Sequence, residues 1–407
     1  MSTKSSTRNA VSGTPKADRL GNNTKSATPP KDDSKIIREK RAERYRIQGI
    51  ARILFGREGH RKKLEHPFNY HRTAKCLHTR IGEVDVKLSK EHKKAFYTGL
   101  AVCGSVWSCP VCTAKIQERR RLEISKGMDK AYESGLKCVM VTLTFPHMSF
   151  QKLDDLMERQ RDALKKLRSG NPWSKVKAKA GFKGLIRSLE LTYGENGWHP
   201  HTHEIWIMDS TTNAEWLEKE ILKRWESACK RAGLLDESKV EAFRKHAVDV
   251  KDNASNSDYL AKQDDSNHWG ADREIAKAST KSGKKKGVHP FQFLVEFDNG
   301  NEESGERWIE YSKVMKGKRQ IFWSHGLKDW AELDEKTDEE LALEQEDSAD
   351  SLGLLTKDQW SIVLKHDARA IILNCAEVGG RKAINEWFNR HTLTWRLDAE
   401  TGECIEV

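Results

Sequence analysis

The sequence predicts an α+β fold: a central antiparallel sheet with flanking helices, a small zinc-binding segment before it and a helical C-terminal module after it. Three observations carry this expectation. The runs LKCVMVTLTF (136–145), GLIRSLELTY (184–193) and HTHEIWIM (201–208) are rich in β-branched and aromatic residues and have strand length. Helical stretches lie between the first two runs, over about 153–168, and after the third, over about 213–232. The short turn GENGW joins the second run to the third, which suits antiparallel neighbours.

In chain order, residues 1–35 are rich in Ser, Thr, Lys, Asn and Pro and read as a disordered basic tail. Residues 36–135 hold basic helices and a cysteine-rich segment. The stretch 36–63 has apolar residues at helical spacing with surplus Arg and Lys, which suits either a helix packed on the core or an arm on phosphates. A second basic helix, KIQERRRLEISKGMDKAYES, ends near Gly135. Residues 136–332 form the main domain. Within it, 240–250 is a strand or a helix, SDYLAKQ (257–263) starts a helix, and the polar 264–289 is a basic loop. HPFQFLVEF and RWIEYSKVMKGKRQIFW then give a helix and a returning strand. Residues 333–352, with DEKTDEELALEQEDSADS, read as an acidic linker before the module at 353–407.

Of the 407 residues, 37% are apolar and 33% charged, and no apolar run approaches the roughly 20 residues of a membrane-spanning helix. A soluble protein with no membrane partner is expected. The amino terminus lacks the apolar stretch of a secretory signal, so the eight cysteines point to a reducing compartment such as a bacterial cytoplasm. A net charge of +11 favours polyanionic partners, nucleic acid foremost, although many basic surfaces are merely solvated.

In CGSVWSCPVC, Cys109 and Cys112 form a CxxC pair with Cys103 six positions earlier and Cys76 further upstream. Four thiolates so spaced can hold a structural zinc, with His78 as a substitute for Cys76; the alternative is a set of buried free thiols. A zinc there would aim Lys115, Arg119, Arg120 and Arg121 of the following helix toward DNA phosphates. Trp107, Trp198 and Trp206 can stack on unpaired bases, though core packing is the default for Trp206.

WHPHTHEIW places His199, His201 and His203 at alternate positions, so in a strand they share a face. On the neighbouring run, Ser188, Glu190 and Thr192 share a face, which makes Glu190 the natural carboxylate partner. Such a set suits a divalent metal, and the carboxylate makes magnesium or manganese acceptable.

The HxH pattern after a Glu-bearing strand, the preceding VTLTF and the downstream YLAK resemble the single-tyrosine plasmid rolling-circle initiators of the HUH endonuclease superfamily. The resemblance covers about 76–330 and departs mildly at Thr202, where the family has a bulky apolar residue. It implies a metal-dependent site-specific endonuclease that nicks one origin strand through a phosphotyrosine and leaves a 3′ hydroxyl primer. Tyr259 would be the nucleophile, with Lys262 on the same helical face. Similar cysteines precede the catalytic motifs in those initiators. Some relatives carry a glutamate one turn before the tyrosine where this chain has Ser255. The expected partners are single-stranded or cruciform origin DNA and a host helicase. The rivals are a relaxase or transposase of the same chemistry and a non-catalytic, zinc-containing DNA-binding regulator.

Overall fold

A computed structural model describes residues 33–252, 287–344, 348–391, 395–397 and 404–406. The tail expected over 1–35 lies almost wholly outside them. The helices are α1 (Asp33–Arg61), α2 (Pro110–Glu133), α3 (Leu153–Leu167), α4 (Gly170–Lys179), α5 (Ala214–Arg231), α6 (Val240–His246), α7 (Phe291–Asp298), α8 (Glu302–Met315), α9 (Leu327–Trp330), α10 (Asp338–Leu343), α11 (Lys357–Lys365) and α12 (Arg369–His391). The strands are β1 (Arg80–Ser89), β2 (Ala95–Leu100), β3 (Leu136–Leu143), β4 (Gly184–Gly194), β5 (Gly197–Asp209), β6 (Val248–Lys251), β7 (Ile321–Trp323), β8 (Ala349–Leu355), β9 (Trp395–Leu397) and β10 (Cys404–Glu406).

The expected α+β class and antiparallel sheet are borne out. The five central strands run β6-β3-β5-β4-β7, and every neighbouring pair is antiparallel. Both faces of this sheet are apolar for much of their length because helices cover both. Val139, Val141, Leu143, Leu185, Leu191, Trp206 and Met208 face the larger core, which α1, α3, α5, α7 and α8 complete. Cys138, Met140, Ile186, Ile205, Ile207 and Trp323 face the other way, onto Ile124 and Met128 of α2. Helix α2 approaches closely at Gly127, where an added Cβ would meet the Trp323 ring at 2.7 Å.

Helix α2 and its contacts cover only part of that second face. Beyond Ile186 and Ile205 the same face carries Ser188, Glu190 and Thr192 of β4 opposite His203, His201 and His199 of β5. The pleat that buries isoleucines at one end of these strands therefore presents polar groups at the other.

Helix α1 is packed rather than extended from the body: Ile47, Ile50, Ala51, Leu54 and Phe55 are buried in the main core. Several of its cations are paired, as in Arg41 with Glu377 and Arg57 with Glu302. A smaller sheet, β2-β1-β8, joins Tyr45 of α1 to α11 and α12 around a second core. Its third strand comes from the stretch read as an acidic linker. Ala349–Leu355 pairs with β1, from Val84↔Leu355 to Ser89↔Ala349, so a boundary at residue 353 falls inside a strand. Upstream in the same stretch, α10 lies on α2 and buries Leu341 and Ala342 in the main core. No helix of the described residues is long and apolar enough to cross a membrane.

Candidate metal centres and nucleic-acid interface

Strand pairing builds the first cluster directly. Glu190 is the cross-strand partner of His201, and Ser188 of His203, so one carboxylate meets two imidazoles without any loop. His201 Nε2 lies 3.1 Å and His203 Nε2 3.4 Å from Glu190 Oε2. From β3, the Thr142 hydroxyl lies 3.0 Å from His203 Nδ1. His199 packs its ring on His201 at 4.9 Å and on His147 at 4.6 Å, and its Nε2 is 2.7 Å from the Thr144 hydroxyl. The described residues thus bring together Glu190, His201 and His203, with His199 engaged beside them.

Hydrogen-bond chemistry at this cluster calls for a cation. His201 Nδ1–H donates to the carbonyl oxygen of His199 at 3.3 Å, and a carbonyl only accepts. A neutral His201 therefore presents the lone pair of Nε2 to Glu190 Oε2, an acceptor facing an acceptor. A proton or a metal must lie between them. The same need shows in Glu190 Oε1, which is buried without a hydrogen-bond partner. The observed 3.1 and 3.4 Å donor separations lie near the roughly 3.0 Å edge of an octahedral site with ~2.1 Å bonds. The three residues could hold a divalent metal ion.

Electrostatics agree. Burial pushes the Glu190 carboxyl up, but hydrogen bonds and charge from His201 and His203 outweigh it and hold the group well below the usual carboxylate range. Burial lowers His201, yet the Glu190 hydrogen bond and charge leave it raised. His199 is driven down to about 3, first by burial and then by His201 and His147. It stays neutral near pH 7.

The second cluster is formed by all four expected cysteines, and Cys76 rather than His78 completes it. Their Sγ atoms lie 3.5 Å (Cys76–Cys112), 3.7 Å (Cys103–Cys112) and 3.7 Å (Cys76–Cys109) apart, close to the roughly 3.8 Å edge of a tetrahedron with 2.3 Å zinc–sulfur bonds. None is in a disulfide. Left-handed backbone follows two of them, at Leu77 (φ 49°) and Gly104 (φ 59°), and turns the chain into a knuckle. Cys109 occupies the N-cap position of α2 and Cys112 lies in its first turn. Donors surround the sulfurs: the Cys103 amide reaches Cys76 at 3.4 Å, and Gln48 Nε2 reaches Cys109 at 3.2 Å. The Gln48 carbonyl accepts in turn from the buried Arg369 guanidinium at 2.8 Å. A thiolate centre is thus matched by donors and by one buried cation.

The expected basic face of α2 looks different once folded. Arg120 is ion-paired with Asp338 at 2.9 Å and Glu123 at 2.8 Å, and Arg119 with Glu344 at 3.2 Å. Lys115 donates to the carbonyl oxygens of Ala342 and Glu344, and Arg121 pairs with Glu118 at 2.6 Å. The acidic stretch and carboxylates of α2 itself thus engage all four of these cations. Trp206 is fully buried, and Trp198 and Trp107 are nearly so, so core packing accounts for all three. Tyr259 and Lys262 lie outside the described residues.

Sequence reading missed the turn Lys316-Gly317-Lys318-Arg319 before β7. Its three cations carry no ion pair among the described residues. The signal was present in KGKR, but a helix-to-strand reading passed over it.

A family model described as "Replication protein" matches residues 99–369. The protein named Protein rep from Streptomyces lividans is 29% identical over 359 aligned residues, covering 71% of this chain and 77% of that one. A Streptomyces cyanogenus protein named neomycin resistance protein is 29% identical over 170 residues, 33% of this chain and 39% of that one. No solved structure matches. The family match runs from Gly99 in β2, past Glu190, His201 and His203, to Arg369 at the start of α12, and on that extent this chain is a member of the Replication protein family.

Proposed function

We propose that this protein starts plasmid rolling-circle replication by nicking one origin strand with Tyr259. The observation that carries the reading is the Glu190–His201–His203 cluster, with its carboxylate buried and His203 the most exposed of the three, in a member of the Replication protein family. A magnesium or manganese ion held by those three residues would act as a Lewis acid on the scissile phosphate.

The chain's own residues supply the rest. Thr142 and the His199 carbonyl orient the two metal-facing imidazoles. The Tyr259 phenol attacks phosphorus, the bond from phosphorus to O3′ breaks, and the phenol's proton ends on the departing O3′. The products are a 5′ phosphotyrosine and a free 3′ hydroxyl primer. Lys262 would offset the phenolate charge.

Chain connectivity allows Tyr259. The chain leaves β6 at Asp252 and returns at Val288, whose backbone pairs with Tyr193 at 2.7 and 2.9 Å beside Thr192. Seven residues from Asp252 to Tyr259 reach up to roughly 23 Å. Lys251 is level with Ile186 through Met140 and Ile205, so Glu190 lies three strand spacings across the sheet and about five residues along it from Asp252, roughly 22 Å. The segment reaches Glu190 only when nearly extended.

The test is to incubate the protein with manganese and single-stranded DNA from its replicon and to look for a covalent adduct by denaturing gel and mass spectrometry. An adduct on Tyr259, lost in Tyr259→Phe, is expected. An adduct on another residue removes that nucleophile, and no cleavage anywhere on the replicon favours the non-catalytic DNA-binding regulator.

A further inference from the structure

We propose that the cleft between the cysteine knuckle and the Lys316–Arg319 turn binds the phosphodiester backbone of the single strand leading away from the metal face. The cleft has a volume of about 360 Å³ and is walled by Ser105 and Ser108 of the knuckle, Arg120 of α2, the 316–319 turn and β7. Seven cationic side chains line it against three carboxylates.

Those carboxylates are engaged. Asp338 pairs with Arg120, Glu339 with Arg72, and Glu335 lies 3.9 Å from Lys328. Lys316, Lys318 and Arg319 are left as surplus charge with no ion pair among the described residues, and Lys316 and Arg319 are exposed. Ser312 Oγ and Trp323 Nε1, on residues of the lining, are buried with no hydrogen-bond partner among the described residues.

Strand pairing gives the direction. Ile321 on the cleft wall is the cross-strand partner of Ser188, which stands two residues from Glu190 on the same face of β4. A strand lying over Glu190 therefore continues across Ser188 and Ile321 onto the cationic turn, with no element of the sheet to cross. The ligand is a chain of phosphodiesters because separated cations along a turn match repeated single charges. The choice of DNA rests on the strand-nicking reading above.

The experiment measures binding of a fluorescein-labelled 20-nucleotide strand by anisotropy from 0.05 to 0.5 M salt, in the Tyr259→Phe background, with a gel check that the strand stays intact. Substituting Lys316→Gln, Lys318→Gln and Arg319→Gln together is expected to reduce the salt slope by about 2, at ~0.7 per phosphate contact on single strands. Extrapolated from 1 M, this is about 50-fold weaker binding at 0.15 M salt. Charge-conserving exchanges (Lys316→Arg, Lys318→Arg, Arg319→Lys) should retain the slope. Neutralising Lys165, Lys219 and Lys223, on helices behind the opposite sheet face, should leave it unchanged. If the triple variant misfolds by circular dichroism, Lys316→Gln alone should still lower the slope by about 0.7.

An unchanged slope in the triple variant, or an equal loss in the distant control, overturns the proposal. Competition by a free deoxymononucleotide as potent as by the strand also overturns it, making the cleft a nucleotide site. Loss of slope in a protein that never cleaves DNA keeps the cleft and removes the nickase.

Discussion

Replacing Cys76 by Ser should release the metal from the cysteine cluster and loosen everything that the knuckle ties together. The magnitude follows from the chain path. An ion bound by Cys76 and Cys103 closes a loop of 28 residues that includes β1 and β2. Treated as a cross-link, that closure removes about 12 cal/mol/K of unfolded-state entropy, or about 3.6 kcal/mol at 25 °C. Cys103, Cys109 and Cys112 remain in the variant, but three thiolates hold zinc less firmly than four. Elemental analysis should find one zinc per wild-type chain. Competition with a coloured chelator should strip the Cys76→Ser protein first, and its unfolding free energy should fall by about 4 kcal/mol. Wild-type protein that binds no zinc when folded in its presence, or a Cys76→Ser variant equal to wild type in metal content and stability, would refute the reasoning.

Glu190→Gln keeps the shape of the side chain and removes its charge; manganese affinity, measured by titration calorimetry, should drop by more than the roughly 10- to 100-fold cost of losing an outer partner. Cleavage should vanish while strand binding persists. Manganese affinity should also decline as pH falls, because the metal needs neutral imidazoles. His201 is raised by Glu190, so the decline should begin above the ordinary histidine value of about 6.5, with a slope of at least one per pH unit; a flat profile from pH 8 to 5.5 would exclude imidazole ligation. On the opposite face, Arg168 pairs with Glu204, which is buried and accepts from Trp206 Nε1 at 2.7 Å. Arg168→Ala should cost about 3–5 kcal/mol in urea unfolding by stranding that carboxylate, and adding Glu204→Gln should recover most of it.

Both metal clusters were legible because each depends on local rules. Alternation in a strand puts His201 and His203 on one face, a short turn makes β4 and β5 neighbours, and those two facts bring Glu190 to the histidines. The cysteines announce themselves by CxxC spacing. Alternation could not separate His199 from its neighbours, because its hydroxyl partner, Thr144, lies just past the end of a strand more than fifty positions away. Local pattern likewise displayed a basic helix and an acidic stretch without saying that they neutralise each other. That depends on α10 docking on α2 across more than two hundred residues. Strand β8 was hidden for the same reason: Ala-Asp-Ser-Leu-Gly-Leu-Leu has weak strand character, and its place comes from the hydrogen bonds that β1 offers at its edge.

The pairing of β1 with β8 also sets a timetable. Val84 waits for Leu355, about 270 residues later in synthesis. At roughly 5–20 residues per second, that is a delay of about 14–54 seconds on the ribosome. Throughout it, the edge of β1 is open and the second core lacks α11 and α12. A chain cut short before residue 349 could never close that edge, so truncated products should be recognised by chaperones and proteases rather than persist as partial proteins on the DNA.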